Sequence, residues 1–311
     1  MRANLDWLSD PTVFRVNRLD AHSDHVAYAT TEEAAAEKTS LRQSLCGEWT
    51  FHWSKCPADR PADFWQENYD LSDFGTIRVP GHMETQGHGQ IQYINKLYPW
   101  DGHAELRPPM VDMENNPVGS YVRQFDLDEG LRGKTVCISF QGVESGMAVW
   151  LNGHYVGYSE NSFDPAEFEL TPFIKEGENK LAVRVWKWTA SSWCEDQDFF
   201  RFSGIFRSVY LYMVPEVHVW DVKIVPTLSD DFKNGNLEIT TLTSGKGAVK
   251  YCLADDGEEI VSGETAVAGN NGDAECTTIA FPVAEPKLWS AEEPNLYKLC
   301  IEVYNEQGEM V

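Results

Sequence analysis

MAVWLNGHYVGYS, residues 147–159, decides the fold. Two short runs with the period of a half-buried strand meet at Asn152-Gly153. A two-residue type I′ turn needs positive φ at both central positions, which Asn and Gly tolerate best, so the stretch predicts a β-hairpin. The same pattern extends to either side, in GEWTFHW (47–53), VCISFQG (136–142), NKLAVRVWKW (179–188) and SVYLYMV (208–214). Long helical periodicity is missing. Many short strands broken by Gly, Pro and Asn point to an all-β sandwich or jelly roll.

A second strand series begins after Pro215: VWDVKIVPTL (219–228), GNLEITTLTS (235–244), AVKYCLA (248–254), EEIVSGETAVA (258–268), AECTTIAFPV (274–283) and NLYKLCIEVYN (295–305). Six strands in about a hundred residues fit a small immunoglobulin-like sandwich. The boundary falls near Met213–Val217. Residues 1–40 are mixed and polar and read as an extended arm with one short helical turn. The expected organisation is an arm (1–40), a jelly roll (41–215) and an immunoglobulin-like domain (216–311). Gly308-Glu309-Met310 reads as the entry to a further strand, so the last domain is expected to continue beyond Val311.

The net charge of −24, from 49 acidic and 25 basic residues, lacks the basic footprint with which proteins displace counterions from phosphates. Nucleic acid and anionic membrane surfaces are therefore disfavoured partners, and the acidity reads as solubility. Seven scattered cysteines show neither C-x-x-C nor metal-finger spacing. Cys137 and Cys300 lie within strand patterns, where a free thiol acts as a small hydrophobe. The amino-terminal residues hold no apolar run of signal-peptide length, and a cytoplasmic location is the expectation. The 11 Trp, 12 Tyr and 15 Phe suit sandwich cores and sugar stacking alike, and most are expected inside.

Four stretches carry a family resemblance: VNRLDAH (16–22), VPGHMETQGHGQIQYINKLYPW (79–100), EDQDFFRFSGIFRSVYLY (195–212) and PKLWSAEEPNLYKL (286–299), with GENKLAVRVWKW (177–188) also fitting. Together they resemble the long, lactose-cleaving β-galactosidases of glycoside hydrolase family 2. The sister β-glucuronidases share the layout, but their counterpart of the EDQD stretch reads differently. The resemblance implies five domains: a jelly-roll sugar-binding domain, an immunoglobulin-like domain, a catalytic TIM barrel and two further β domains. This chain supplies the first two. It also implies retaining hydrolysis of terminal β-galactosides by two glutamates about 5 Å apart, both in barrel motifs that these residues do not contain. Asn305-Glu306 sits in a turn, NEQGE, and is read as solvated; no catalytic residue is assigned here.

The resemblance further implies that Asn95 and Asp198 help shape the galactose subsite, Asp198 also touching a sodium ion shared with the barrel. A carboxylate can accept sugar hydroxyls or ligate a hard cation, and an amide suits a vicinal diol. The competing reading pairs Asp198 with Arg201 or Arg207 and makes Asn95 a turn residue. A structural magnesium maps onto Asp6, Asp10, the Val13 carbonyl and Glu160, although a further acidic ligand falls on Ala190. Sodium and magnesium are thus expected in the full-length enzyme, with neither held tightly by these two domains alone. His82, His88 and His103 match no compact zinc spacing and read as loop histidines. Trp100 and Trp193 flank the sugar-facing loops and could stack on sugar or pack internally. The partners that the resemblance implies are a β-galactoside, the TIM barrel within the same polypeptide and further copies in a homo-oligomer. The alternatives are a stand-alone carbohydrate-binding module and a β-glucuronidase-like protein.

Overall fold

The structure, a computed structural model, describes residues 4–102, 104–195, 198–269 and 274–311. The chain divides into two compact units. The first takes residues up to Ala21 and then Ser40–Met213; the second takes His22–Thr39 and Val214–Val311. The segment read as a single arm, 1–40, is therefore shared between the units, and its later half belongs with the immunoglobulin-like strands.

In the first unit a seven-stranded sheet runs in the order Arg15–Val16, His154–Ser159, Gly146–Leu151, Glu178–Trp186, Val118–Asp126, Gly47–Ser54 and Gly75–Val79. A four-stranded sheet orders Ala166–Glu169, Thr135–Phe140, Val209–Val214 and Arg42–Ser44. The hairpin forms where Asn152-Gly153 predicts it, with φ of 51° and 79° at the two residues. The Asn152 side chain does more than tolerate the turn. It donates to Phe173 O and Asn179 Oδ1 and accepts from the Lys180 N–H, all within 2.9 Å.

The jelly-roll core contains Trp49, Phe51, Tyr121, Phe140, Phe168 and the aliphatic faces of both sheets. A second cluster, on the outer side of the large sheet, holds Leu8, Phe64, Trp100, Trp150, Tyr158 and Trp186. Large inner strands therefore read as nearly continuous apolar runs, because both of their faces are covered.

The second unit is two three-stranded antiparallel sheets: His218–Leu228, Asn234–Ser244 and Glu275–Ala284 in one, Glu258–Ala268, Lys246–Asp255 and Lys298–Asn305 in the other. Ile239, Val249, Tyr251, Val267 and Phe281 form its core. Residues 22–39 form a strap on this unit, including the helical turn Thr31–Ala35 capped by the Thr30 side chain. The strap docks at the outer edge of His218–Leu228, where the pairing slips between Val219 and Asp221. There the Ser23 N–H donates to Asp221 Oδ1 at 2.7 Å, and the Val222 N–H donates to Ser23 Oγ at 2.9 Å. The His22 ring lies 4.6 Å from that of Trp220. An edge strand left with open N–H groups invites foreign pairing, and the strap satisfies that of Val222. After Asn305 the chain turns back, and the Val311 N–H donates to Val303 O at 3.0 Å.

Candidate functional site

Asn95 and Asp198, far apart in sequence, come together through a small ribbon. Gln92–Ile94 pairs antiparallel with Phe199–Arg201, with Ile94 opposite Phe199 and Tyr93 opposite Phe200. The pairing ends there; Asn95 follows it on one side and Asp198 precedes it on the other. Directly opposite residues project to the same side, so Tyr93 and Phe200 share one face of the ribbon, where Asp198 meets Tyr93; Asn95 lies at the end of the Tyr93 strand. All four are exposed, Tyr93 by 57% and Phe200 by 50%. The Tyr93 and Phe200 rings are 5.4 Å apart. A chain of ring contacts continues inward through Phe202, His82 and Phe206.

The Tyr93 hydroxyl donates to Asp198 Oδ1 at 2.6 Å, and this bond raises the Tyr93 pKa. Asp198 thus meets Tyr93, while Arg207 donates to the Phe163 carbonyl at 2.6 Å and Arg201 lies over the Phe199 ring. Tyr93 was not singled out from the sequence. Its signal was its place in the short QYI strand just before Asn95.

Beneath the ribbon, a buried charge pair holds its base. Lys187 Nζ donates to Glu84 Oε1 at 2.7 Å, with only 3% and 2% of the two side chains exposed. Lys187 also donates to Arg201 O at 3.1 Å. Ser203 completes the set, donating from its N–H to Glu84 Oε2 and from its hydroxyl to Oε1. Gly204 follows at φ +115°, where a Cβ would lie 2.9 Å from the Tyr121 hydroxyl. Three of the stretches that carried the resemblance (79–100, 177–188 and 195–212) are joined by these contacts. The first glutamate of EDQD, Glu195, receives the Ser162 N–H and hydroxyl, and burial raises its pKa. Asp196 and Gln197 lie outside the described residues.

The carboxylates that the resemblance marks for magnesium are engaged within the protein. Glu160 is buried, accepting from the Tyr158 hydroxyl at 2.5 Å and the Ser191 N–H at 3.1 Å, and burial raises its pKa to about 7. Asp10 accepts from the Thr12 N–H and hydroxyl, Asp6 bonds with Asn4, and the Val13 N–H donates to Asp10 O. Among the described residues no three His, Cys, Asp or Glu side chains gather as a metal site. Asp6, Asp10 and Glu160 are hard oxygen donors of the kind magnesium takes, and each holds a protein partner.

The remaining candidates are packing residues. Trp100 is buried, its ring 5.4 Å from Tyr98 and 4.5 Å from Trp193, whose indole N–H donates to Met110 O. His82 stacks on Phe202 and Phe206, His88 meets Phe51 edge-on, and burial lowers both pKa values. His103 lies outside the described residues. Cys300, expected to act as a core filler, is exposed; Cys137 is buried, its thiol pushed up to about 12 by desolvation first. No helix among the described residues is long and apolar enough to cross a membrane.

Comparison with known proteins places these features in a family. Residues 42–215 match the family described as "Glycosyl hydrolases family 2, sugar binding domain", and residues 217–311 match "Glycosyl hydrolases family 2". A β-galactosidase of Halalkalibacterium halodurans is 47% identical over 310 residues, covering 99% of this chain and 31% of that protein. A β-galactosidase large subunit of Leuconostoc lactis is 46% identical over 326 residues, covering all of this chain and 51% of that one. The chain thus spans between about a third and a half of these relatives. A solved β-glucuronidase of Bacteroides uniformis shares the fold, with a TM-score of 0.68 at 21% identity over 86% of this chain and 31% of its own. With both of its strand-rich segments matched, the chain belongs to glycosyl hydrolase family 2.

Proposed function

We propose that this chain is the amino-terminal, non-catalytic part of a β-galactosidase, and that its ribbon completes a galactose subsite whose catalytic glutamates lie on a TIM barrel. The observation that supports this reading is the exposed face on which Tyr93, paired with Phe200, meets Asp198, with Asn95 at the end of the Tyr93 strand. Polar groups beside exposed rings suit a sugar, whose C–H faces pack on aromatics while its hydroxyls seek donors and acceptors. The Tyr93 bond fixes one carboxylate oxygen of Asp198 and leaves Oδ2 for a sugar hydroxyl or a sodium ion. The amide of Asn95 can donate to one hydroxyl and accept from its neighbour. The activity of the similar β-galactosidases supports the choice of galactoside over glucuronide. A stand-alone sugar-binding module is less favoured, because a shallow exposed ribbon encloses little of a ligand.

Complementation tests this directly. The 311-residue chain is combined with the H. halodurans enzyme lacking its own matching segment, and hydrolysis of a chromogenic β-galactoside is followed. Neither piece alone should hydrolyse it, and the pair should. Asp198→Ala should lower kcat/KM of the complemented enzyme by about 100-fold or more, the loss expected for a buried charged contact to substrate, and Asn95→Ala by about tenfold. Hydrolysis by the isolated chain, or full activity with Asp198→Ala, would sink the proposal.

A further inference from the structure

The outer face of the immunoglobulin-like unit carries two free thiols side by side. Cys252, on Lys246–Asp255, is directly opposite Cys300, on the neighbouring strand Lys298–Asn305. Directly opposite residues of an antiparallel pair project to the same side of the sheet, with Cα atoms about 4.5–5.5 Å apart. That spacing lies within the range a disulfide spans, about 4.4–6.8 Å. Their chain neighbours Tyr251, Leu253, Leu299 and Ile301 point the other way: Tyr251, Leu299 and Ile301 join the core cluster, and Leu253 is buried. The thiols therefore face outward, Cys300 exposed and Cys252 half-buried.

We propose that Cys252 and Cys300 form a redox-responsive dithiol that closes to a cross-strand disulfide by exchange with a low-molecular-weight disulfide, fastening Lys298–Asn305 to Lys246–Asp255. The more exposed Cys300 meets the reagent first. Its thiolate attacks one sulfur of the external disulfide, forming a mixed disulfide and expelling one external thiolate. Cys252 then attacks the Cys300 sulfur, the Cys252–Cys300 bond forms, and the second external thiol departs with the remaining proton. Two protein S–H groups are oxidised, and one external disulfide is reduced to two thiols. Cys252 is the slower partner. Its thiol donates to Glu259 Oε2 at 3.7 Å, and burial followed by Glu259 raises its pKa. This contact must be released before it can attack. The other five cysteines have no cysteine opposite them in the strand registers of the described residues.

The test uses the whole chain, reduced and then exposed to oxidised glutathione, followed by non-reducing peptide mapping and thiol counting. The expected result is a Cys252–Cys300 linked peptide that accounts for two of the seven thiols, with glutathione on the exposed Cys194 and Cys276 counted separately. Cys252→Ser should leave glutathione held on Cys300 with no internal link, and Cys300→Ser should slow glutathione uptake at Cys252 several-fold. Hydrogen exchange of Lys298–Asn305 should slow on oxidation of the native chain and not of either variant. A native chain that keeps glutathione on Cys300 without closing the ring overturns the proposal. So does one that links chains together instead.

Discussion

At the scale of single residues, the least replaceable group is Lys187. Its ammonium is buried beside Glu84, and removing one partner of such a pair strands the other charge in a poorly solvating interior. Lys187→Met should therefore destabilise the chain by about 3–5 kcal/mol, whereas adding Glu84→Gln to it should recover part of the loss. Urea midpoints of the two variants check both statements; an unchanged midpoint for Lys187→Met would mean the pair contributes nothing. Glu84 and Lys187 also show where sequence reading stops. Asn95 and Asp198 stood out because motifs marked them, and they flank the ribbon whose strands pair Ile94 with Phe199. Glu84 looked like any other loop carboxylate, because only three-dimensional packing buries it against a lysine 103 residues away. Tyr93 was hidden differently, since its role follows from a partner 105 residues away.

Among the elements, local signals foretold the strands well. The Asn152-Gly153 hairpin and all six strands of the second unit lie where alternation and turn residues put them. The two-stranded ribbon, however, is only three residues wide on each side, too short for periodicity to register. The strap escaped for another reason. Its sequence is polar and aperiodic, and its bonds go to an edge strand nearly 200 residues later. It should act as a separable stabiliser. Residues 214–311 made without the strap should be less stable, and a synthetic 22–39 peptide should restore about 1–2 kcal/mol, in line with two or three hydrogen bonds plus modest apolar contact. Thermal unfolding with and without the peptide measures this. A Ser23→Ala peptide that stabilises equally well would refute the assigned docking.

For the whole molecule, acidity matters through two buried carboxyl groups. Burial, with the nearby Glu84 and Glu195, raises Glu144 to about 8, and burial raises Glu160 to about 7. A carboxyl whose folded pKa lies above its unfolded value of 4.5 binds its proton more tightly in the native state. Its contribution therefore falls as pH rises from about 4.5 and levels off above the folded value. Unfolding free energy should drop by about 6 kcal/mol between about pH 5 and about pH 8, somewhat more than half of it through Glu144. Glu144→Gln should flatten most of this slope, measured by urea unfolding across that interval; an unaltered slope would place its origin elsewhere.

The path of the chain between its two units also sets a timetable for synthesis. Residues 22–39 leave the ribosome well before Asp221 and Val222 exist to receive them. At roughly 5–20 residues per second, the strap waits on the order of ten seconds to a minute while the entire jelly roll is translated and folds. During that interval the nascent protein carries an unattached polar tether. The second sandwich is therefore finished by capturing a segment made near the start, so its assembly waits on strands translated long afterwards.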